Sequence, residues 1–258
     1  MKSLLFIVAI CTISPLYGQN TTGCDNKLLP VLWVQQSGEY KALCYQAYNA
    51  AQWRLESLKK DKKDKRPLAI ITDVDETILD NSYYEAQRTR ECSPFTSASW
   101  KQWTARASAT AVPGAVEFFQ YAKKKGITIF YISNRNVSEV PGTLKNLLQL
   151  GFPDADTTHM LFLTDTSSKE QRRQKIAQQF NVVMLVGDNL NDFSAVFESR
   201  SNRERQSSTD QLRTQWGNKF IMLPNPLYGD WENALYNFKR LDAQQKQDTL
   251  RQQLQGIR

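Results

Sequence analysis

The sequence AIITDVDETILDN, residues 69–81, decides the fold. A basic lead-in, KKDKKDKRP at 59–67, ends on Pro67, and residues 68–72 then form a short apolar, β-branched run that reads as a strand. Asp73 and Asp75 follow at once, with Thr77 two residues further on. In an open parallel sheet, ligands bind beyond the carboxyl ends of the strands, so chemistry is expected here. Two carboxylates this close repel unless something positive lies between them. A divalent cation is the simplest remedy, and hard oxygen donors favour magnesium over zinc. The competing reading is a turn or helix cap, because Asp commonly starts helices. Segments further along the chain weigh against it.

Outward from this stretch, strands alternate with helices. Residues 31–58 have apolar positions at helical spacing and no internal proline, which predicts one helix. Its aromatic residues Trp33, Tyr40, Tyr45, Tyr48 and Trp53 read as packing residues. Pro113-Gly114 opens a helix that ends on Gly126, and residues 127–132 form a second core strand with Ser133, Asn134 and Arg135 at its end. A helix over 140–150 closes on Gly151, and a short strand over 160–163 precedes a capped helix with Lys169 near its start. Residues 181–186 are a third apolar strand, ending in Gly187-Asp188. Residues 200–215 are a polar loop or helix, 220–223 a last strand, and 244–258 a solvated helix or tail. This alternation predicts an α/β fold with a largely parallel sheet.

The motifs resemble those of a known family. DVDET matches the nucleophile motif of the haloacid dehalogenase-like (HAD) phosphohydrolases. DVDETILDNSYY together with VGDNLNDF at 186–193 is similar to the four-aspartate signature of the class C bacterial acid phosphatases. The likeness runs from about Leu29 to the PNPLYGDWE segment at 224–232. It implies a HAD-like, Rossmann-type parallel core flanked by helices, with a small, mostly helical lid or second lobe inserted around 82–112. The expected organisation is a leader over 1–18, a helical segment over 19–65, the core over 66–200, and a closing segment over 201–258.

The resemblance also implies roles. Asp73 is the expected nucleophile, forming an aspartyl-phosphate and splitting hydrolysis into two displacements. Asp75 is the expected acid that protonates the leaving alkoxide and the base that then activates water. Mg2+ would be held by Asp73, the backbone carbonyl of Asp75, and Asp188. Asp192 would orient metal-bound water or Lys169. Ser133 and the N–H of Asn134 would bind phosphoryl oxygens, and Lys169 would neutralise nucleophile and phosphate together. Arg135 is a further candidate phosphate contact. Trp100, in SASWKQW, and Tyr228, in PNPLYGDW, would stack planar leaving groups, favouring nucleoside monophosphates and aryl phosphates. Each has an ordinary alternative: turn, solvated cation, helix cap or packing ring.

The net charge is +7, from 33 Lys+Arg against 26 Asp+Glu, but the excess is dispersed and no nucleic-acid module is visible. Lys2, an apolar run over 4–13 and the break at 15–18 have the order of a secretory signal, too short to span a bilayer. An exported protein follows, periplasmic or outer-membrane associated. Cys24, Cys44 and Cys92 remain after the leader, an odd number that suggests one pair and one free or modified thiol. Class C enzymes are often lipoproteins, and Gly23-Cys24 resembles a lipidation site, although Thr21-Thr22 stands where an aliphatic-led box would. Cys24 is therefore a candidate outer-membrane anchor. An oligomer is left open.

His159 is the only histidine, and no R-H-G motif precedes it, which excludes a phosphohistidine mechanism. There is no Walker A loop, G-x-S-x-G elbow or G-x-G-x-x-G. The expected function is a magnesium-dependent phosphomonoesterase acting on nucleotides and related esters. Its rivals are a narrow 5′-nucleotidase and a binding protein that kept the fold without the chemistry.

Overall fold

The computed structural model describes residues 27–58 and 63–256. The leader over 1–18, Cys24 and part of the basic lead-in lie outside them. No helix among the described residues is long and apolar enough to cross a membrane.

Among the described residues seven strands and ten α-helices follow one another as α1 (Leu28–Gln36), α2 (Gly38–Glu56), β1 (Leu68–Thr72), β2 (Leu79–Asp80), α3 (Ser82–Glu91), α4 (Ser97–Arg106), β3 (Thr110–Ala111), α5 (Ala115–Lys124), β4 (Thr128–Asn136), α6 (Val140–Leu150), β5 (Met160–Leu163), α7 (Glu170–Gln179), β6 (Asn181–Gly187), α8 (Asn202–Gln211), β7 (Phe220–Met222), α9 (Asp230–Leu235) and α10 (Ala243–Gln253). Five strands form one sheet in the order β5-β4-β1-β6-β7. All its pairings are parallel. The chain fills one side of β1 with β4 and β5, then returns to the other with β6 and β7. That reversal opens a crevice at the carboxyl ends of the central strands.

Period-2 alternation divides the core into two layers. Ile70, Ile129, Tyr131, Met184 and Val186 point to the face covered by α2 and α5, packing with Tyr48, Phe118 and Phe119. Ile71, Phe130, Ile132 and Leu185 point to the other face, against Ile176 of α7 and Phe193. Tyr131, Ile70, Ile129 and Met184 are fully buried, each contributing about 1.5–3 kcal/mol in transfer terms. A sheet buried on both faces needs such continuous apolar strands.

Several expectations change. The single helix over 31–58 is two helices, because Ser37 is extended (φ −83°, ψ 138°) and caps α2 by accepting from the Tyr40 N–H. Ser37 also donates to the Trp33 carbonyl, closing α1. Gly38 behind it has little helical preference, so a good cap wins over continuity. Tyr40 and Tyr48 pack as expected, but Tyr45 and Trp53 are exposed. β4 runs four residues beyond Ile132, since Asn136 still pairs with Leu163. α7 starts at Glu170, and its N-cap residue Lys169 makes no side-chain cap; the ammonium is engaged elsewhere. The 200–215 segment contains α8, and α9 was not anticipated. Cys44 is a free buried thiol and Cys92 is disulfide-bonded.

β2 and β3 pair antiparallel, so α3 and α4 leave and rejoin the core through a two-stranded stem. α4 rests on α6 so closely that a Cβ on Gly142 would lie 2.5 Å from the Thr104 carbonyl oxygen. Only glycine fits there.

Candidate active site

β1 ends at Thr72, and Asp73 continues it by donating its N–H to the Val186 carbonyl at 2.9 Å. β1 is central, so its two neighbours deliver their own ends to the same place. β4 brings Ser133 and Arg135, and β6 brings Asp188. Beyond Gly187, Asn189 caps a 3-10 turn over Leu190–Asp192 and exchanges a capping box with Asp192. Asp192 thereby folds back over Gly187, where a Cβ would lie 2.5 Å from its carboxylate.

Asp73, Asp188 and Asp192 are buried, with carboxylate oxygens within 4.8 Å of one another. At that separation and an effective dielectric of about 20, each like-charged pair costs roughly 3.5 kcal/mol. Lys169 enters from the start of α7 and binds Asp73 and, at 2.7 Å, Asp192. Burial opposes its charge, but Asp192 and Asp73 outweigh burial and raise its pKa. Three carboxylates against one ammonium still leave two negative charges. Burial, reinforced by Asp192, Asp188 and Asp75 and opposed by Lys169, drives the Asp73 carboxyl well above the usual range. Burial and Asp192 push Asp188 up to about 6, although Asn225, Lys169 and Thr77 pull the other way. All-oxygen donors with two uncompensated charges fit a hard divalent cation. Thr77 Oγ1 (2.9 Å) and Asn225 Nδ2 (2.7 Å) fix the Asp188 carboxylate.

Asp75 stands apart from this cluster. Arg135, almost fully buried, donates Nε and Nη2 to its Oδ1 at 3.0 and 2.8 Å. Asn81 Nδ2 donates to the same oxygen at 2.9 Å, and Ser133 Oγ reaches Oδ2 at 3.3 Å. Asn81 is itself held by Trp103 Nε1 at 2.8 Å. The Arg135 guanidinium lies 5.5 Å from the centre of the Trp100 ring. Trp100 also meets Tyr84 edge-on at 5.1 Å and Phe95 at 6.2 Å. The helical pair thus packs directly on the groups that orient Asp75.

This geometry belongs with what the chain resembles. A model of the HAD superfamily, subfamily IIIB (acid phosphatase), matches residues 18–231. The chain belongs to that family. The class C acid phosphatase from Bacillus anthracis is 36% identical and superposes with a TM-score of 0.87, over 92% of this chain and all of that one. The same enzyme with tungstate bound gives 38% and 0.86, over 92% of this chain and 100% of that one. Acid phosphatase 1 of Solanum lycopersicum is 26% identical over 167 residues, 61% of this chain and 57% of that protein. The chain therefore spans little more than half the length of that tomato relative.

Within this acid phosphatase frame, the structure gathers Asp73, Lys169, Asp188 and Asp192, and places Ser133 beside Asp75. Asn134 turns its side chain away, donating to the Ser167 carbonyl at 2.9 Å and accepting from Arg172 at 2.6 Å. Only its main chain is left to serve the site. Arg135, read as a phosphate contact, instead holds Asp75. Trp100 is half-buried, meeting Tyr84, Phe95 and Arg135. Tyr228 is half-buried against the core, and no ring contact joins it to Trp100 among the described residues. Asn81, Thr77 and Asn225 were not singled out as site residues, although they stand inside the quoted motifs. Their neutral side chains gave no charge signal to read.

Proposed function

We propose that the protein is an exported, Mg2+-dependent phosphomonoesterase acting on 5′-nucleotides, aryl phosphates and related esters. The observation that carries the reading is the buried Asp73–Lys169–Asp192–Asp188 cluster at the end of β1, with Asp75 clamped nearby. Asp73 attacks phosphorus and becomes an aspartyl-phosphate while the P–O bond to the leaving group breaks. Asp75 gives a proton to the departing alkoxide, then takes one from the water that hydrolyses the acyl phosphate. Lys169, Ser133 and the Asn134 N–H receive the phosphoryl oxygens. Asp73, Asp188 and the Asp75 carbonyl would hold Mg2+, with Asp192 orienting around it; the ion supplies charge neutralisation for the phosphoryl group.

Tungstate, bound in the Bacillus anthracis neighbour, is a tetrahedral oxyanion like phosphate, which supports the same reading here. Trp100 and Tyr228 are the aromatic residues we assign to leaving-group recognition. Export rests on the leader over 1–18. The test is phosphate release from a 5′-nucleotide by purified mature protein. Activity should vanish with a chelator and return with Mg2+. A folded, metal-supplied protein that releases no phosphate from nucleotide or aryl esters would leave the binding-protein reading in its place.

A further inference from the structure

A cavity of about 290 Å³ opens between α3 and α4, away from the aspartate cluster. Its wall includes Tyr84, Arg88, Pro94, Gln102, Trp103 and Arg106. The Tyr84 and Trp103 rings are stacked 28° from parallel with centres 6.3 Å apart, giving an apolar back. The Arg88 guanidinium is held 5.6 Å from both the Tyr84 and Phe95 rings. Glu85 takes both its contacts on Nη1, at 2.8 and 3.0 Å, while Arg88 Nε is buried without a partner. Arg106, the exposed last residue of α4, lines the same cavity.

We propose that this cavity is a second ligand site, for a small organic anion with a flat apolar body. The flat part lies against Tyr84 and Trp103, and the anionic group meets Arg88 and Arg106, whose planar forks suit carboxylate, sulfonate or phosphate. The volume is near the lower end of small-molecule pockets. The site does not depend on the phosphatase reading. It is nevertheless two hydrogen bonds from Asp75, because Trp103 Nε1 holds Asn81 and Asn81 holds the Asp75 carboxylate. A ligand here would therefore act on turnover without competing for the aspartate cluster.

The probe is naphthalene-2-sulfonate, an aromatic anion with no phosphoester bond, titrated into the full mature protein with and without tungstate. The reporter is the Trp103 indole N–H resonance, assigned by its loss in Trp103→Phe. A saturable displacement is expected, with the Trp216 resonance on the opposite sheet face unmoved. Gln102→Trp, on the exposed side of α4, should fill the cavity and abolish it; Arg106→Met should weaken it about tenfold. Circular dichroism and thermal midpoint show that both variants fold; if Gln102→Trp does not, Arg106→Met decides alone. No saturable change at roughly 10 mM probe, removal of the change by tungstate, an equal change at Trp216, or indifference to the variants overturns the proposal.

Discussion

The two acidic groups of the DVDET motif, two residues apart, live in different worlds. Asp73 belongs to a buried cluster with more negative than positive charge, built from the ends of β1 and β6 and the start of α7. Asp75 faces a matched guanidinium, an amide and a hydroxyl, and is braced by aromatic residues from the helical pair. The difference separates the tasks that the proposed reaction needs. A cation and a phosphoryl group must be held where charge is concentrated, whereas an acid must be aimed at a leaving group that varies.

The hardest blow to this contrast is Asp73→Asn. Turnover should fall by at least about 10⁴-fold, while the thermal midpoint in chelator holds or rises, because one like charge leaves the cluster. Substantial residual hydrolysis would remove Asp73 as nucleophile. On the other side, Arg135→Lys keeps the charge and loses the fork. Turnover of alkyl phosphates should fall about 100-fold, but that of p-nitrophenyl phosphate only a few-fold, because a good leaving group needs little acid assistance. Equal losses across leaving groups would mean that Arg135 is structural.

Gly187→Ala forces a Cβ to 2.5 Å from Asp192. The Mg2+ concentration for half-maximal activity should rise about 10- to 100-fold, with the fold retained by circular dichroism. The same change in Gly142 should instead loosen α4 from α6 and spare metal dependence, which separates the two halves cleanly.

Proton competition sharpens the picture further. Asp188 titrates near 6 without a cation, so Mg2+ affinity should fall as pH drops below about 6, with proton release visible in calorimetry across buffers. The sign for metal-free stability is opposite to that of a salt-bridged carboxylate. The folded state binds the Asp188 proton more tightly than the unfolded chain, so this group's contribution is fully present below the ordinary aspartate range. It is lost as pH rises from there through about 6. Stability of the chelated protein that climbs across that window would contradict the burial argument. The smallest effect concerns the core behind the cluster. Burial pushes the Cys44 thiol up to about 11, so a thiol reagent at pH 8 should label it only after unfolding.

Much of this could be read from the chain alone. The apolar strand followed by D-x-D-x-T, and the apolar strand followed by GDNLND, announced a parallel sheet with acids at its carboxyl end. Strand and helix limits over 68–72, 140–150 and 160–163 agree with the structure, because propensity, breakers and periodicity all point the same way there. The break at Ser37 was missed because one hydroxyl outweighed an otherwise unbroken helical pattern.

The sequence by itself determined the charged inventory: which carboxylates, which lysine, and that they follow buried strands. Short motifs carry such information because strand geometry fixes where the next two residues go. Only the tertiary structure decided that Arg135 holds Asp75, that Asn81 and Trp103 brace it, and that Trp100 packs on Tyr84, Phe95 and Arg135. The Trp103–Asn81 and Arg135–Asp75 contacts join side chains 22 and 60 residues apart. They depend on how the helical pair seats on the sheet, which no local pattern encodes.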